Sequence, residues 1–183
     1  VPSLESGDLS GSMTAAWVGV GGFNQSDPTL IQAGVVAQPD ASAPGGADYQ
    51  AWWELLPDPA TTITSMTVGP GDSVTVLIRQ VSGTTWSITV TDTTRAETFS
   101  TQQTYGGPTG DGTGASAEWI VERPEVGGTI VPLAGFAPAI QFSGLAVAGP
   151  DDSVTEAEMV ENGAVVAQPG SLGAGGFSVA SNV

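Results

Sequence analysis

Apolar and polar residues alternate at every second position over many short runs of this chain, the period of strands with one face buried. The runs predict strands over Thr14–Val20, Thr29–Val36 and Tyr49–Leu56. Ile63–Val68 then leads into a turn at Gly69-Pro70-Gly71-Asp72. Ser73–Val81 and Thr85–Thr91 read as a hairpin about Ser82-Gly83, with Trp86, Ile88 and Val90 facing inward and Ser87 and Thr89 outward. Arg95–Thr101 pairs next, the stretch 105–114 is a loop, and Ser116–Glu122 is a further strand. Segments 129–133, 138–148, 154–161, 163–167 and 176–180 alternate with turns to the end, while residues 1–12 are polar and turn-like. No long segment carries the 3.6-residue period of an amphipathic helix. The pattern predicts an all-β sandwich or barrel, and without a linker it predicts one domain over residues 1–183.

Some of these strands carry polar groups where an apolar face is expected. In Ser116–Glu122, Ala117, Trp119 and Val121 share one face, and Glu118, Ile120 and Glu122 the other. Leu30, Gln32 and Gly34 share a face of the second strand; Gln50, Trp52 and Glu54 share one of the third; Ala15, Trp17 and Gly19 share one of the first. Taken singly, each tryptophan is ordinary core and each acid an ordinary solvated side chain. Taken together on one concave sheet, Gln32, Glu54, Glu118, Trp17 and Trp52 would converge on a groove fit for a polypeptide or a sugar chain.

Composition narrows the chemistry. Cysteine and histidine are both absent, which excludes disulfides, thiolate nucleophiles, Ser-His-Asp triads and zinc sites built on those ligands. Three basic residues face 19 acidic ones, a formal charge of −16 at pH 7, so nucleic acid is excluded as a partner. With 40% hydrophobic and 12% charged residues the chain packs a core in spite of its acidity. The scarcity of Lys and Arg fits service in acid: below about pH 3 the carboxylates are protonated, leaving a charge of roughly +4. A neutral or high-salt setting for an acidic protein is the alternative. No stretch approaches the roughly 18 apolar residues that span a membrane. No cofactor or metal is expected.

The blocks AAWVGVGG (15–22), LIQAG (30–34), YQAWWELLP (49–57), ASAEWIVERP (115–124) and IVPLAGF (130–136) stand in the order found in the glutamic peptidases, or eqolisins, which the chain resembles over most of its length. The closing segment 154–179 also looks like their C-terminal part. The resemblance implies a β-sandwich of two curved antiparallel sheets, concanavalin- or jelly-roll-like, and a secreted, acid-acting, pepstatin-insensitive endopeptidase with polypeptide substrates. By matching motifs it makes Gln32 and Glu118 the catalytic pair, and Trp17 and Glu54 cleft residues. Where this chain has Gly21 and Gln50, family members commonly carry acids. The family also begins with strands ahead of its Val-Pro-x-Ser-like segment, whereas this sequence opens at Val1-Pro2-Ser3; a cleaved light chain or propeptide would account for them. The absence of cysteine points to the prokaryotic branch.

Two other classes fit the same residues. A glycosidase would use Glu54 and Glu118 as its two acids, with tryptophans stacking on sugar rings and Gln32 idle. A non-catalytic binding module would use the groove alone. Asn24-Gln25-Ser26 matches a glycosylation sequon, and Asp151-Asp152 offers a weak calcium site; the plain reading of both is a polar turn.

Overall fold

A computed structural model describes residues 1–5, 11–23, 29–106, 116–147 and 154–183. The sequon and Asp151-Asp152 lie outside the described residues. The chain folds into two compact units. One comprises Val1, Ala16–Val36 and Tyr49–Ile120; the other comprises Pro2–Ala15, Ala37–Asp48 and Val121–Val183.

The strands, in chain order, begin with β1 (Ser3–Leu4), β2 (Thr14–Gly21), β3 (Leu30–Pro39), β4 (Ala47–Leu55) and β5 (Thr61–Thr62). They continue with β6 (Val74–Ser82), β7 (Thr85–Asp92), β8 (Glu97–Thr104) and β9 (Ala117–Glu122). The remainder are β10 (Glu125–Val126), β11 (Thr129–Ile130), β12 (Phe136–Ala137), β13 (Ile140–Ser143), β14 (Met159–Glu161), β15 (Ala164–Pro169) and β16 (Gly176–Ser181). Among the described residues the regular structure is β apart from a 3-10 turn at Pro44–Gly46. The all-β class read from the alternation holds.

The first unit is organised by two sheets, five-stranded in the order β5-β4-β3-β2-β9 and three-stranded in the order β6-β7-β8. Both pairings in the smaller sheet are antiparallel, with Ile78 opposite Ile88 and Val90 opposite Phe99. Their buried faces meet in one cluster: Ile31, Ala33 and Val35 from β3 and Ala51 and Leu55 from β4 pack with Trp86, Ile88 and Val90 from β7. Ile88 and Val90 are wholly buried, and each such side chain contributes about 1.5–3 kcal/mol. Because side chains alternate, filling one face of β3 and β4 with this core leaves Gln32, Trp52 and Glu54 on the opposite face. That division is what positions the site.

The second unit holds a four-stranded antiparallel sheet, β13-β16-β15-β14, and the two-stranded pairs β1–β12 and β10–β11. Phe142 and Phe177 stack across β13 and β16 with ring centroids 5.1 Å apart. Arg123 Nη2 lies 3.3 Å from Glu161 Oε1, a pair of largely buried side chains.

Strand limits differ from the alternation in places. β1 was not expected, since two residues carry no period. β3 runs three residues beyond the expected Val36, to Pro39. Ile63, Met66 and Val68 are buried without forming a strand: they fill the core from irregular chain. Residues 154–158 and 144–147 are not strand.

Candidate active site

The side chains singled out in the sequence all fall in the first unit, on four neighbouring strands: Glu54, Trp52 and Gln50 on β4, Gln32 on β3, Trp17 on β2 and Glu118 on β9. The β3–β4 register is held twice. Leu56 N donates to Leu30 O at 2.9 Å. The Tyr105 hydroxyl accepts from Leu30 N at 3.2 Å and donates to Leu56 O. Tyr105, assigned in the sequence to a loop, is thus a clamp on the two strands that carry Gln32 and Glu54.

Gln32 is buried, 6% exposed, and its Nε2 donates to Glu54 Oε2. Its Oε1 is buried with no hydrogen-bond partner among the described residues. A buried amide half satisfied in this way is costly unless a ligand completes it. Glu54 receives that bond while half-buried. Burial pushes its carboxyl above the ordinary range, against the opposing hydrogen bonds from Gln32 and the Ala60 backbone.

Glu118 is also half-buried, and burial raises its carboxyl in the same way, opposed by the Ser116 hydroxyl. Ser116 Oγ lies 2.9 Å from Glu118 Oε1 and 3.0 Å from Gly21 O. The Ser116 carbonyl accepts from Gly21 N at 2.9 Å, fastening the start of β9 to the end of β2.

Trp17 and Trp52 are buried, and both indole Nε1 atoms lack a partner among the described residues. The Trp17 ring lies over Gly19: a Cβ there would sit 2.7 Å from Trp17 Cζ3. A Cβ on Gly34 would come within 2.1 Å of Ala16 O and 2.7 Å of Trp17 Cα, so only glycine lets β3 approach β2 this closely. Gln50, by contrast, is engaged at the margin, its Oε1 accepting from Thr62 Oγ1 at 3.2 Å.

The structure therefore brings Gln32 and Glu54 into direct contact and pairs Glu118 with Ser116. Gln32 and Glu118 are not bonded to each other. Ser116 was not singled out in the sequence, although its place two residues before Glu118, on the same side of the strand, is the signal that finds it. No group of three or more potential metal ligands occurs among the described residues. No helix there is long and apolar enough to cross a membrane.

The site thus combines, on an all-β sandwich fold, half-buried acids, a buried amide and two indoles without a partner among the described residues, and comparison with known proteins places the chain in a family. The chain belongs to the Peptidase A4 family, whose profile matches residues 1–172. It is 31% identical to aspergillopepsin-2 of Aspergillus niger over 159 residues, 84% of this chain. It spans about half the length of that curated relative, 54%. Among solved structures it is similar to aspergilloglutamic peptidase from Aspergillus niger, with a TM-score of 0.76 and 26% identity, covering 92% of this chain and 98% of that one. It shares its fold with scytalido-glutamic peptidase, solved with a transition state analog inhibitor: TM-score 0.78, 24% identity, 99% of this chain and 88% of that one. The resemblance read from the ordered blocks is thereby confirmed.

Proposed function

We propose that the chain is an acid-acting endopeptidase in which Glu118 is the general base on water and Gln32 stabilises the oxyanion. The observation that carries this reading is the state of Gln32: a buried amide whose nitrogen is held by Glu54 through one hydrogen bond. An amide nitrogen bears two hydrogens. One is committed to Glu54; the other is available to an oxygen that gains charge. A glycosidase built on Glu54 and Glu118 would leave this amide idle, whereas here it is fixed by one of those very acids.

The strand order supports the pairing of roles. Adjacent strands lie about 4.8 Å apart, so β3 and β9, on either side of β2, are separated by about 10 Å. In this reading water and a peptide carbonyl sit across that span, between acid and amide.

In the proposed reaction Glu118, as carboxylate, takes a proton from water while the water oxygen attacks the scissile carbon. The carbonyl oxygen becomes an oxyanion, which receives the free Gln32 N–H. The C–N bond breaks as Glu118 returns the proton to the leaving amine. Such a base works in acid because a carboxyl group ionises there, where imidazole is already protonated. Trp17, Trp52 and Gln50 line the peptide path in this reading, with secretion into an acidic medium as the setting.

The test is digestion of acid-denatured protein at about pH 2–4. Glu118→Gln is expected to lose about 10²–10⁴-fold in kcat, and Gln32→Ala about 10²–10³-fold, with melting temperatures near that of the unmutated protein. Undiminished cleavage by folded Glu118→Gln would sink the proposal.

A further inference from the structure

We infer that Ser116 is a positioning residue for the base: its hydroxyl occupies Oε1 of Glu118, so that the proton of water is taken up and returned at Oε2. The inference rests on the role proposed above for Glu118. Ser116 Oγ is within hydrogen-bonding distance of two acceptors, Glu118 Oε1 at 2.9 Å and Gly21 O at 3.0 Å. A serine hydroxyl has one hydrogen, and neither a carboxylate nor a peptide carbonyl has one to offer. Only one of the two contacts is a hydrogen bond at any moment. The backbone beneath is fixed, since the Ser116 carbonyl holds Gly21 N at 2.9 Å. The hydroxyl is therefore a rotor with two stops on a fixed pivot.

The charge on Glu118 chooses the stop. A bond to an ionised acceptor is roughly twice as strong as a neutral one. While Glu118 is a carboxylate, the hydrogen points to Oε1. Once Oε2 has been protonated, Oε1 is the carbonyl oxygen of a neutral acid, and the more polar peptide carbonyl of Gly21 takes the hydrogen instead. The balance is simple. Water gives a proton to Oε2 and an oxygen to the scissile carbon; Oε2 gives the proton to the amine as the C–N bond breaks. The Ser116 hydrogen turns through the cycle without leaving Oγ.

Few other groups can take over this task. β2 and β3 contain no titratable side chain. β9 carries one other acid, Glu122, four residues on, and Glu54 stands on β4 with Gln32. Ser116 is the hydrogen-bond partner that opposes the burial of Glu118.

Ser116→Thr and Ser116→Val test this at constant size, because threonine keeps the hydroxyl and valine replaces it with a methyl group. Peptide cleavage is followed from pH 1.5 to 6, with a carbon-13 titration of the Glu118 carboxyl alongside. Valine is expected to move the acid limb of the kcat profile and the carboxyl titration upward by about one pH unit, since one unit is a tenfold change in ionisation. It should lower kcat about tenfold or more with KM changed less than about twofold, as for loss of a bond to a charged group. Threonine should keep both titrations at their original pH. Where valine does not fold, Ser116→Ala gives the same comparison. Coincident pH profiles for the hydroxyl-bearing and hydroxyl-free variants would overturn the inference. Glu118→Gln separates the two levels: full activity in that variant removes the base and this role with it, whereas an inactive Glu118→Gln beside coincident Ser116 profiles removes the Ser116 role alone.

Discussion

Two places in the first unit bury carboxylates, and they give them opposite company. At the turn corner, Asp72 Oδ2 accepts from Arg95 Nε at 2.6 Å and from Gly69 N at 2.7 Å. Beside it Asp92, wholly buried, accepts through Oδ1 from Thr94 N at 2.8 Å and Arg95 N at 2.9 Å. At the site, the partners of Glu54 and Glu118 among the described residues are an amide, a backbone N–H and a hydroxyl. Burial alone would raise Asp72, but Arg95 and the Gly69 N–H outweigh it and hold the carboxyl below its ordinary range. Nothing outweighs burial at Glu54 or Glu118, and both are raised. One of the chain's three basic residues is thus spent on a turn, while the hydrogen-bond partners of the site acids among the described residues are all uncharged. The corner holds a fixed anion; under the proposed function the site needs a carboxyl that changes protonation state at low pH.

The sharpest way to break this contrast is at the corner. Asp92→Ala leaves the Thr94 and Arg95 amides without their acceptor, which should cost about 1–3 kcal/mol. For a chain of this size that lowers Tm by about 2–4 °C per kcal/mol. An unchanged melting curve at pH 5 would show that Asp92 does not hold the β7–β8 turn.

Next in size is the pH dependence of the unmutated protein. Carboxyls raised above 4.5, Glu54 and Glu118, contribute stability fully below that pH and lose it as pH rises through their folded values. Asp72, lowered from 3.8, contributes above that pH and loses its contribution as pH falls through its folded value. Mutual repulsion among the acids adds to the loss on the alkaline side. Tm is therefore expected to peak near pH ~4 and to fall towards pH 7; a steady rise from pH 3 to 7 would contradict the assignment.

Smaller effects separate the two places residue by residue. Asp72→Asn should lower Tm at pH 6 and progressively less as pH falls through the lowered folded value of the native aspartate. Glu54→Gln should do the reverse, keeping an acceptor for Gln32 while removing the cost of ionising a half-buried acid. Its Tm should equal or exceed that of the unmutated protein at pH 7 and match it at pH 3. Calorimetry at the paired pH values checks both, and a Glu54→Gln penalty larger at pH 7 than at pH 3 would mean that the charge is stabilising there.

Much of the frame was legible in the residues. Alternation placed β2, β4, β6 and β7 within a residue or two and put Trp86, Ile88 and Val90 in the core, because a half-buried strand must repeat every second position. It also put Gln32 on the face away from Ile31 and Ala33. Ile63, Met66 and Val68 escaped it, being buried from irregular chain whose spacing has no period. Tyr105 and Ser116 escaped as well. Each acts through a hydroxyl reaching residues distant in sequence, Tyr105 to Leu30 and Leu56, Ser116 to Gly21. A lone serine or tyrosine in a polar stretch does not announce such a partner.

The sequence by itself determined the class of fold, the family, the acidic character and the residue types available for hydrolysis without histidine or cysteine. The fold class and the acidic character follow from local rules, the period of side chains along a strand and the ordinary ionisation of side chains; the family follows from the resemblance carried by the ordered blocks. Only the tertiary structure decided that Gln32 is held by Glu54, that the Ser116 hydroxyl also reaches Gly21, and that Arg95 serves Asp72 at a turn. Those outcomes depend on strand register and burial, which set the distance and dielectric between groups far apart in the chain.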